Sequence, residues 1–410
     1  MTQPVVLMRL PYPHIRGAGS ASGYNSGLAA ENGRAEFRGR VSGGELLMQR
    51  RLPILLSLIV LALVALAWVA PRLAQNDATP TPTLESHHYV AIVPPGLTSP
   101  FHVSIAEGAR AEGAKLGWQV EVQATARESN VAGQVILVQQ LLAMGAEAIS
   151  INSLQGEAIV SAVKTANARA VPVFIHNSLT PLPDGDVTAY IGYDQWRGAA
   201  RLGEYTCDLL AQKYDTTPEN ATGKVYLLLG IEGFHVHRRT QGYIAGLSRC
   251  PRVQIVGEQT AEWTREQGAN VATAALQRTP DIDVFYGNSD EMGIGAALAA
   301  EKLGLRINQD FYVVSIDGNA PTLDLIQEGK YTATLGVDPT RMGQTVIDMM
   351  NEVLNGGSVP QYILTPSVVV DATNVDSTSP GKRGLRPFPA RRNWMTVCRR
   401  ASRWRPRQRG

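Results

Sequence analysis

From Tyr89 onward, short apolar runs alternate with longer amphipathic stretches, and the pattern predicts strands and helices in turn. Val90–Val93, Val120–Gln123, Ala148–Ile151, Val171–Ile175 and Ala189–Ile191 form a first set of strands. Val225–Leu229, Gln254–Val256, Val284–Tyr286, Tyr312–Ile316 and Thr332–Leu335 form a second. Helical stretches such as Val131–Met144, Glu157–Ala168, Trp196–Lys213, Arg265–Gln277 and Met292–Leu303 separate most of them, long enough for right-handed crossovers. No strand alternates apolar with polar as a one-sided antiparallel sheet would. The pattern therefore predicts an α/β protein with two parallel sheets, helices on both faces of each. The strand count restarts near Tyr190–Asp194.

The stretch Tyr89–Gly117 shows the unit most clearly. Tyr89–Val93 is a strand buried on both faces. Ser99 suits a helix N-cap, and Pro100 the first helical position, where its missing N–H is not needed. His102, Ile105, Ala106, Ala109, Gly113 and Leu116 share one helical face. Gly117 suits the stop. An open α/β sheet places its ligand crevice between strand and helix, so the turn Pro94–His102 is expected to form one wall of a cleft.

Outside this body the chain changes character. Residues 1–47 are rich in Gly, Ala, Ser and Arg and show no period; they are expected to be disordered or not translated in the cell. Met48 opens a basic segment followed by the 19-residue uncharged run Leu52–Ala70. This reads as a signal peptide over 48–71, or as an uncleaved membrane anchor through 52–70. Residues 72–87 read as a linker. The basic tail 377–410 holds eleven Lys and Arg and is expected to be disordered. The two basic ends leave an acidic body, which argues against nucleic acid as partner. Three cysteines, Cys207, Cys250 and Cys398, show no metal spacing. Cys207 and Cys250 fall on helices expected to cover one sheet face. In an oxidising compartment they can pair; two buried thiols is the other reading.

Polar and aromatic residues follow the carboxyl ends of the apolar strands: Ser99, Phe101 and His102, then Asn152, His176 and Asn177. In the second half come Arg239, Trp263, Asn288, Ser289, Asp290 and Asp317, and Thr98 precedes Ser99 in the first. Amide, carboxylate and guanidinium groups each take two hydroxyls in a planar fork, and aromatic faces cover the apolar face of a sugar ring. This is a sugar-binding inventory, not a catalytic one. No G-x-S-x-G elbow occurs, GIGAALAAEKLG lacks the strand–turn setting of a dinucleotide fingerprint, and His102, His176, His235 and His237 lack metal spacing. No catalytic residue, metal or cofactor is expected.

Seven segments then resemble, in order, the periplasmic sugar-binding proteins of the ribose-binding type, solute receptors of ABC importers. They are SPFHVSIAEGARAEGAKLG, INSLQGEAIVSAVKTANARAVPVFIHN, RRTQGYIAGL, AEWTREQG, NSDEMGIGAALAAEKLG, VVSIDGN and YTATLGVDPTRMG. The resemblance implies two Rossmann-like lobes joined by a three-stranded hinge. It assigns 88–193 plus 338–361 to the first lobe and 194–337 plus 362–376 to the second. The expected crossings lie near Gly192–Asp194, Asp317–Thr322 and Val337–Pro339, with Ile363–Val370 in the second lobe.

It also implies site roles. Ser99 stands for a ligand amide, Phe101 and His102 for two stacking aromatics, and Asn152 and Arg239 keep their family roles. Trp263 closes the ring from the other side, and Asp317 keeps the hinge-side carboxylate. Asn288 or Ser289 replaces an amide. Asn177 and Ser178 replace an Asp–Arg pair, and Val337 a Gln, which removes part of the ribose set. The expected partners are a monosaccharide or polyol and an ABC permease, with the protein a monomer. A membrane-anchored sensory ectodomain is the alternative. A sugar-responsive transcription regulator shares the core but would need a helix-turn-helix where the apolar 52–70 segment stands.

Overall fold

The computed structural model describes residues 88–378. The expectations for 1–47, 48–71, 72–87 and 379–410 lie outside them.

The first sheet is six-stranded and wholly parallel, in the order β11-β5-β4-β3-β1-β2. Its strands are β1 (Tyr89–Val93), β2 (Gln119–Val122), β3 (Ala148–Ile151), β4 (Val173–His176), β5 (Ala189–Gly192) and β11 (Tyr362–Leu364). The second runs β12-β10-β9-β8-β6-β7. It comprises β6 (Thr222–Leu229), β7 (Arg252–Thr260), β8 (Val284–Gly287), β9 (Tyr312–Asp317), β10 (Ala333–Gly336) and β12 (Val368–Asp371). Side chains alternate across a strand, so Val90 and Ile92 fall in one core while Ala91 and Val93 fall in another.

Helices α1 (Pro100–Lys115), α2 (Val131–Ala143), α3 (Val160–Asn167) and α9 (Pro339–Leu354) flank the first sheet. Helices α4 (Gln195–Lys213), α5 (Phe234–Leu247), α6 (Arg265–Arg278), α7 (Asp290–Lys302) and α8 (Ala320–Gln327) flank the second. A last short helix, α10 (Val375–Thr378), takes in the first two residues of the expected tail. Ser99 caps α1 by accepting from the Phe101 N–H at 3.3 Å, and Gly117 follows its end at φ 71°. The returning helix α9 packs on α1 where a Cβ at Gly108 would lie 2.1 Å from the Thr340 carbonyl oxygen. Gly295, in the small-residue stretch of α7, faces the backbone of α6 in the same way. Among the described residues no helix is long and apolar enough to cross a membrane.

The chain passes between the sheets at Tyr193–Asp194, at Val337–Asp338 and at Thr365–Ser367. The expected crossing near Asp317–Thr322 is absent, because α8 only bridges β9 and β10, which pair side by side with Ala333 opposite Val314. The run Ile363–Val370 is two strands, not one. Ile363 pairs with Ile191 in the first sheet, and Val368 with Gly336 in the second. Pro366 breaks the run between them, since it lacks a donor for either ladder. Residues 362–364 thus belong with the first lobe. The β10–β12 pair is antiparallel, the one such pair among the described strands.

Candidate functional site

One cavity lies between the lobes at the carboxyl ends of both sheets, with about 370 Å³ of empty space including its mouth. The first lobe contributes Ser99, Phe101, His102, Glu128, Asn152, Leu154 and Asn177. The second contributes His235, Arg239, Trp263, Ser289 and Asp317. Of the polar and aromatic residues singled out in the sequence, Ser99, Phe101, His102, Asn152, Asn177, Arg239, Trp263, Ser289 and Asp317 line it; Thr98, His176, Asn288 and Asp290 do not. The Asn288 side chain is fully buried behind the wall, where its amide bonds Gly230, Thr240 and Tyr286 and its carbonyl accepts from Arg239. Glu128, Leu154 and His235 were not expected. Glu128 follows the carboxyl end of β2 and His235 that of β6, so the position of each relative to its strand is the signal that points to them.

Arg239 organises the second-lobe wall. Its Nη1 donates to the Asn288 carbonyl at 2.6 Å and to Asp317 Oδ1 at 3.4 Å, and its Nε donates to Gln195 Oε1 at 3.2 Å. The guanidinium lies 5.5 Å from the Trp263 ring and 5.9 Å from the Tyr193 ring. Trp263 has room because Gly230 carries no Cβ; one there would meet the indole at 2.1 Å. Asn177, Trp263 and Asp317 have φ of 59°, 64° and 148°, conformations that cost non-glycine residues and recur at ligand clamps. Burial holds the Asp317 carboxyl well above the usual range, against the charge of Arg239.

Beneath this wall Asp290 is fully buried. Its carboxylate accepts from Ser315 at 2.5 Å, Thr334 at 2.6 Å and the Asn319 N–H at 2.8 Å, tying the start of α7 to β9 and β10. Its own N–H donates to Asp317 Oδ2 at 3.3 Å.

The first-lobe wall holds two neutral imidazoles at or behind the cavity. Burial, then the charge of Arg239, lowers His102 to about 3; burial, then His102, lowers His176 to about 3. His235 is lowered for the same reasons, burial first. Several buried polar atoms on the cavity wall have no protein partner: His102 Nδ1, Asn152 Nδ2, Asn177 Oδ1, Trp263 Nε1 and Ser289 Oγ. Leaving such groups unpaired costs about 1–3 kcal/mol each, so an arrangement of them facing one hollow is built to meet a polar guest. Among the described residues no group of three or more His, Cys, Asp or Glu is placed to hold a metal ion.

Burial pushes the Glu128 carboxyl up to about 7, with a smaller opposing pull from Arg239. The folded protein therefore holds this proton more tightly than the unfolded chain. The resulting stability is complete below about pH 4.5 and is lost as the pH rises to about 7. Glu128→Gln removes that slope. Its stability relative to the parent should gain roughly 2–3 kcal/mol between pH 4.5 and pH 8 in urea denaturation; a gain of zero would contradict the burial.

The lobes touch across the cavity. His235 Nε2 lies 3.2 Å from Asn152 Oδ1, and Gln195 Nε2 donates to the Asn177 carbonyl at 2.7 Å and to His235 Nδ1 at 2.8 Å. With Nδ1 accepting, His235 carries its proton on Nε2 and donates it to Asn152, which leaves the Asn152 amide N–H groups for the cavity. Gly233 precedes α5 in extended backbone, and a Cβ there would come within 2.4 Å of the Leu154 carbonyl oxygen. Gly233→Ala keeps its own lobe unstrained but obstructs this approach. It should weaken ligand binding about tenfold while leaving the free protein's melting point within a degree or two; unchanged calorimetric affinity would mean closure tolerates the methyl group.

Two lobes gripping a polar hollow at their hinge define a ligand-trapping protein. Residues 90–358 match the family described as periplasmic binding protein domain. The ribose import binding protein RbsB of Salmonella typhimurium is 30% identical over 271 residues, covering 66% of this chain and 86% of that protein. A periplasmic solute-binding protein of an ABC transporter from Actinobacillus succinogenes, solved with D-allose, superposes with TM-score 0.64 at 23% identity, covering 71% of this chain and 99% of that one. A Mycobacterium smegmatis structure with β-D-fucofuranose gives 0.65 at 22% identity, covering 72% and 95%. The chain belongs to the periplasmic binding protein domain family, whose members are binding proteins and not enzymes.

Proposed function

We propose that the protein is an extracytoplasmic receptor that captures a monosaccharide or related polyol between its lobes and presents it to an ABC importer. The convergence of partnerless polar atoms from both lobes with Phe101 and Trp263 on one cavity carries the reading. Ring hydroxyls satisfy the polar atoms, and the aromatics cover the apolar ring face. Because the donors belong to both lobes, a ligand binds the closed state better than the open one, and that difference alone drives closure. The joint surface of the closed lobes is what a permease would read. The relatives named for import favour this over the sensory ectodomain. The departures at Asn177, Ser178 and Val337 remove part of the ribose set.

Thermal-shift screening with D-ribose, D-allose, other monosaccharides and myo-inositol tests it. A true ligand at a hundred times its Kd stabilises by about 2.7 kcal/mol. A panel in which no sugar or polyol moves the transition would overturn the reading.

A further inference from the structure

Glu128 stands apart from the rest of the cavity. Its side chain is 9% exposed, it faces the hollow, and the basic group paired with it is His102 Nε2 at 3.8 Å, beyond hydrogen-bond reach. The position is built. The Glu128 stem lies where a Cβ of Gly96 would be, 2.8 Å from its Cγ. Thr125 donates to the Pro95 carbonyl at 2.8 Å and so ties the loop after β2 to the loop after β1. A buried carboxyl without partners is costly unless something supplies donors.

The groups facing it narrow what that can be. His102 on α1 is held neutral by burial and Arg239, and Arg239 on α5 is already engaged with Asn288, Asp317 and Gln195. His235, also on α5, donates its Nε2–H to Asn152 Oδ1, and Asp317 at the end of β9 already accepts from Arg239 and from the Asp290 N–H. The partnerless donors on the cavity wall are Asn152 Nδ2 and Trp263 Nε1, with the Ser289 hydroxyl able to donate or accept. They satisfy hydroxyl oxygens and leave the hydroxyl hydrogens needing acceptors. On the first-lobe wall Asn177 Oδ1, an unprotonated His102 Nδ1 and Glu128 can take them, and among these Glu128 alone brings a carboxylate.

We propose that Glu128 contacts the ligand as a carboxylate accepting its hydroxyls, so that capture strengthens as this group loses its proton. The inference rests on the receptor reading above. A group titrating near 7 is about one-tenth ionised at pH 6 and nine-tenths at pH 8, so the apparent affinity should rise about tenfold over that interval.

The test is calorimetry of the whole chain with whichever of D-ribose, D-allose or myo-inositol gives the largest thermal shift, at pH 6 and pH 8. The parent should show the tenfold rise. Glu128→Gln should bind about tenfold more weakly at pH 8 and show no dependence on pH. Gly96→Ala displaces the carboxyl without changing its chemistry and should lose affinity at pH 8 as well. Parent affinity that is level or falls with pH, or a slope that persists in Glu128→Gln, overturns the inference and leaves the receptor reading standing. Absence of binding at either pH for every sugar defeats the receptor reading itself, and this one with it.

Discussion

Arg239→Ala is expected to abolish the ligand-induced thermal shift and to destabilise the free protein by about 3–5 kcal/mol, the cost of breaking a buried ion pair from one side. Arg239 is 3% exposed, and so is Asp317. Without the guanidinium, Asp317 keeps its buried place with no cation beside it, and Asn288 and Gln195 lose a donor. The Asp317 carboxyl, already above its ordinary range through burial, rises further. A raised carboxyl contributes stability at low pH that is lost as the pH climbs through the folded value, so the deficit of Arg239→Ala should grow with pH. Asp317→Ala strands the guanidinium, which cannot escape by deprotonation, so its deficit should not shrink in acid. Removing both should cost less than the sum of the two. Urea denaturation of the four proteins, with and without ligand, measures all of this. Two stable single variants that still respond to ligand would remove both residues from the site.

The second large effect concerns the Cys207–Cys250 disulfide, which joins α4 to the residue group just past α5. Both cysteines are fully buried, and 43 positions separate them. Closing a loop of that length in the unfolded chain is worth about 4 kcal/mol by the chain-entropy estimate. Cys207→Ala with Cys250→Ala should lose about 3–4 kcal/mol, and a reducing agent should reproduce the loss in the parent. Affinity should fall far less. Gln195, His235 and Arg239 lie toward the amino ends of these helices, away from the bond, and Gly203, Gly242 and Gly246 still seat the two backbones against each other. A denaturation midpoint indifferent to reductant would mean that the bond contributes nothing. The pairing accords with an oxidising compartment.

Much of this was legible in the chain because the signals are local. Ser99-Pro100 marks a helix start by its own chemistry, and β1 needs only its five residues to read as buried on both faces. Of the nine-residue β7, only Gln254–Val256 reads as a strand in the sequence. It is an edge strand with mostly exposed residues, so its apolar run is short. The misplaced crossing at Asp317–Thr322 has another cause. Asp317-Gly318-Asn319 has turn chemistry, but a turn does not say which sheet receives the next strand. Pro366 was a readable break in Ile363–Val370. Glu128 follows the carboxyl end of β2, which makes it a candidate, but its seating against Gly96, thirty-two positions earlier, is a tertiary contact that the sequence does not show. Asn288 and Ser289 were ambiguous by one residue, and only the bonds of Asn288 to Gly230 and Thr240 decide which faces inward.

The route of the backbone sets an order of events. The first lobe is begun by β1 and finished only by α9 and β11, with the whole second lobe threaded in between. A growing polypeptide released from its amino end cannot complete that lobe until residue 364 is free. The second lobe, lacking only β12 and α10, is nearly whole by residue 336. Along the chain, the half begun first is thus the half closed last.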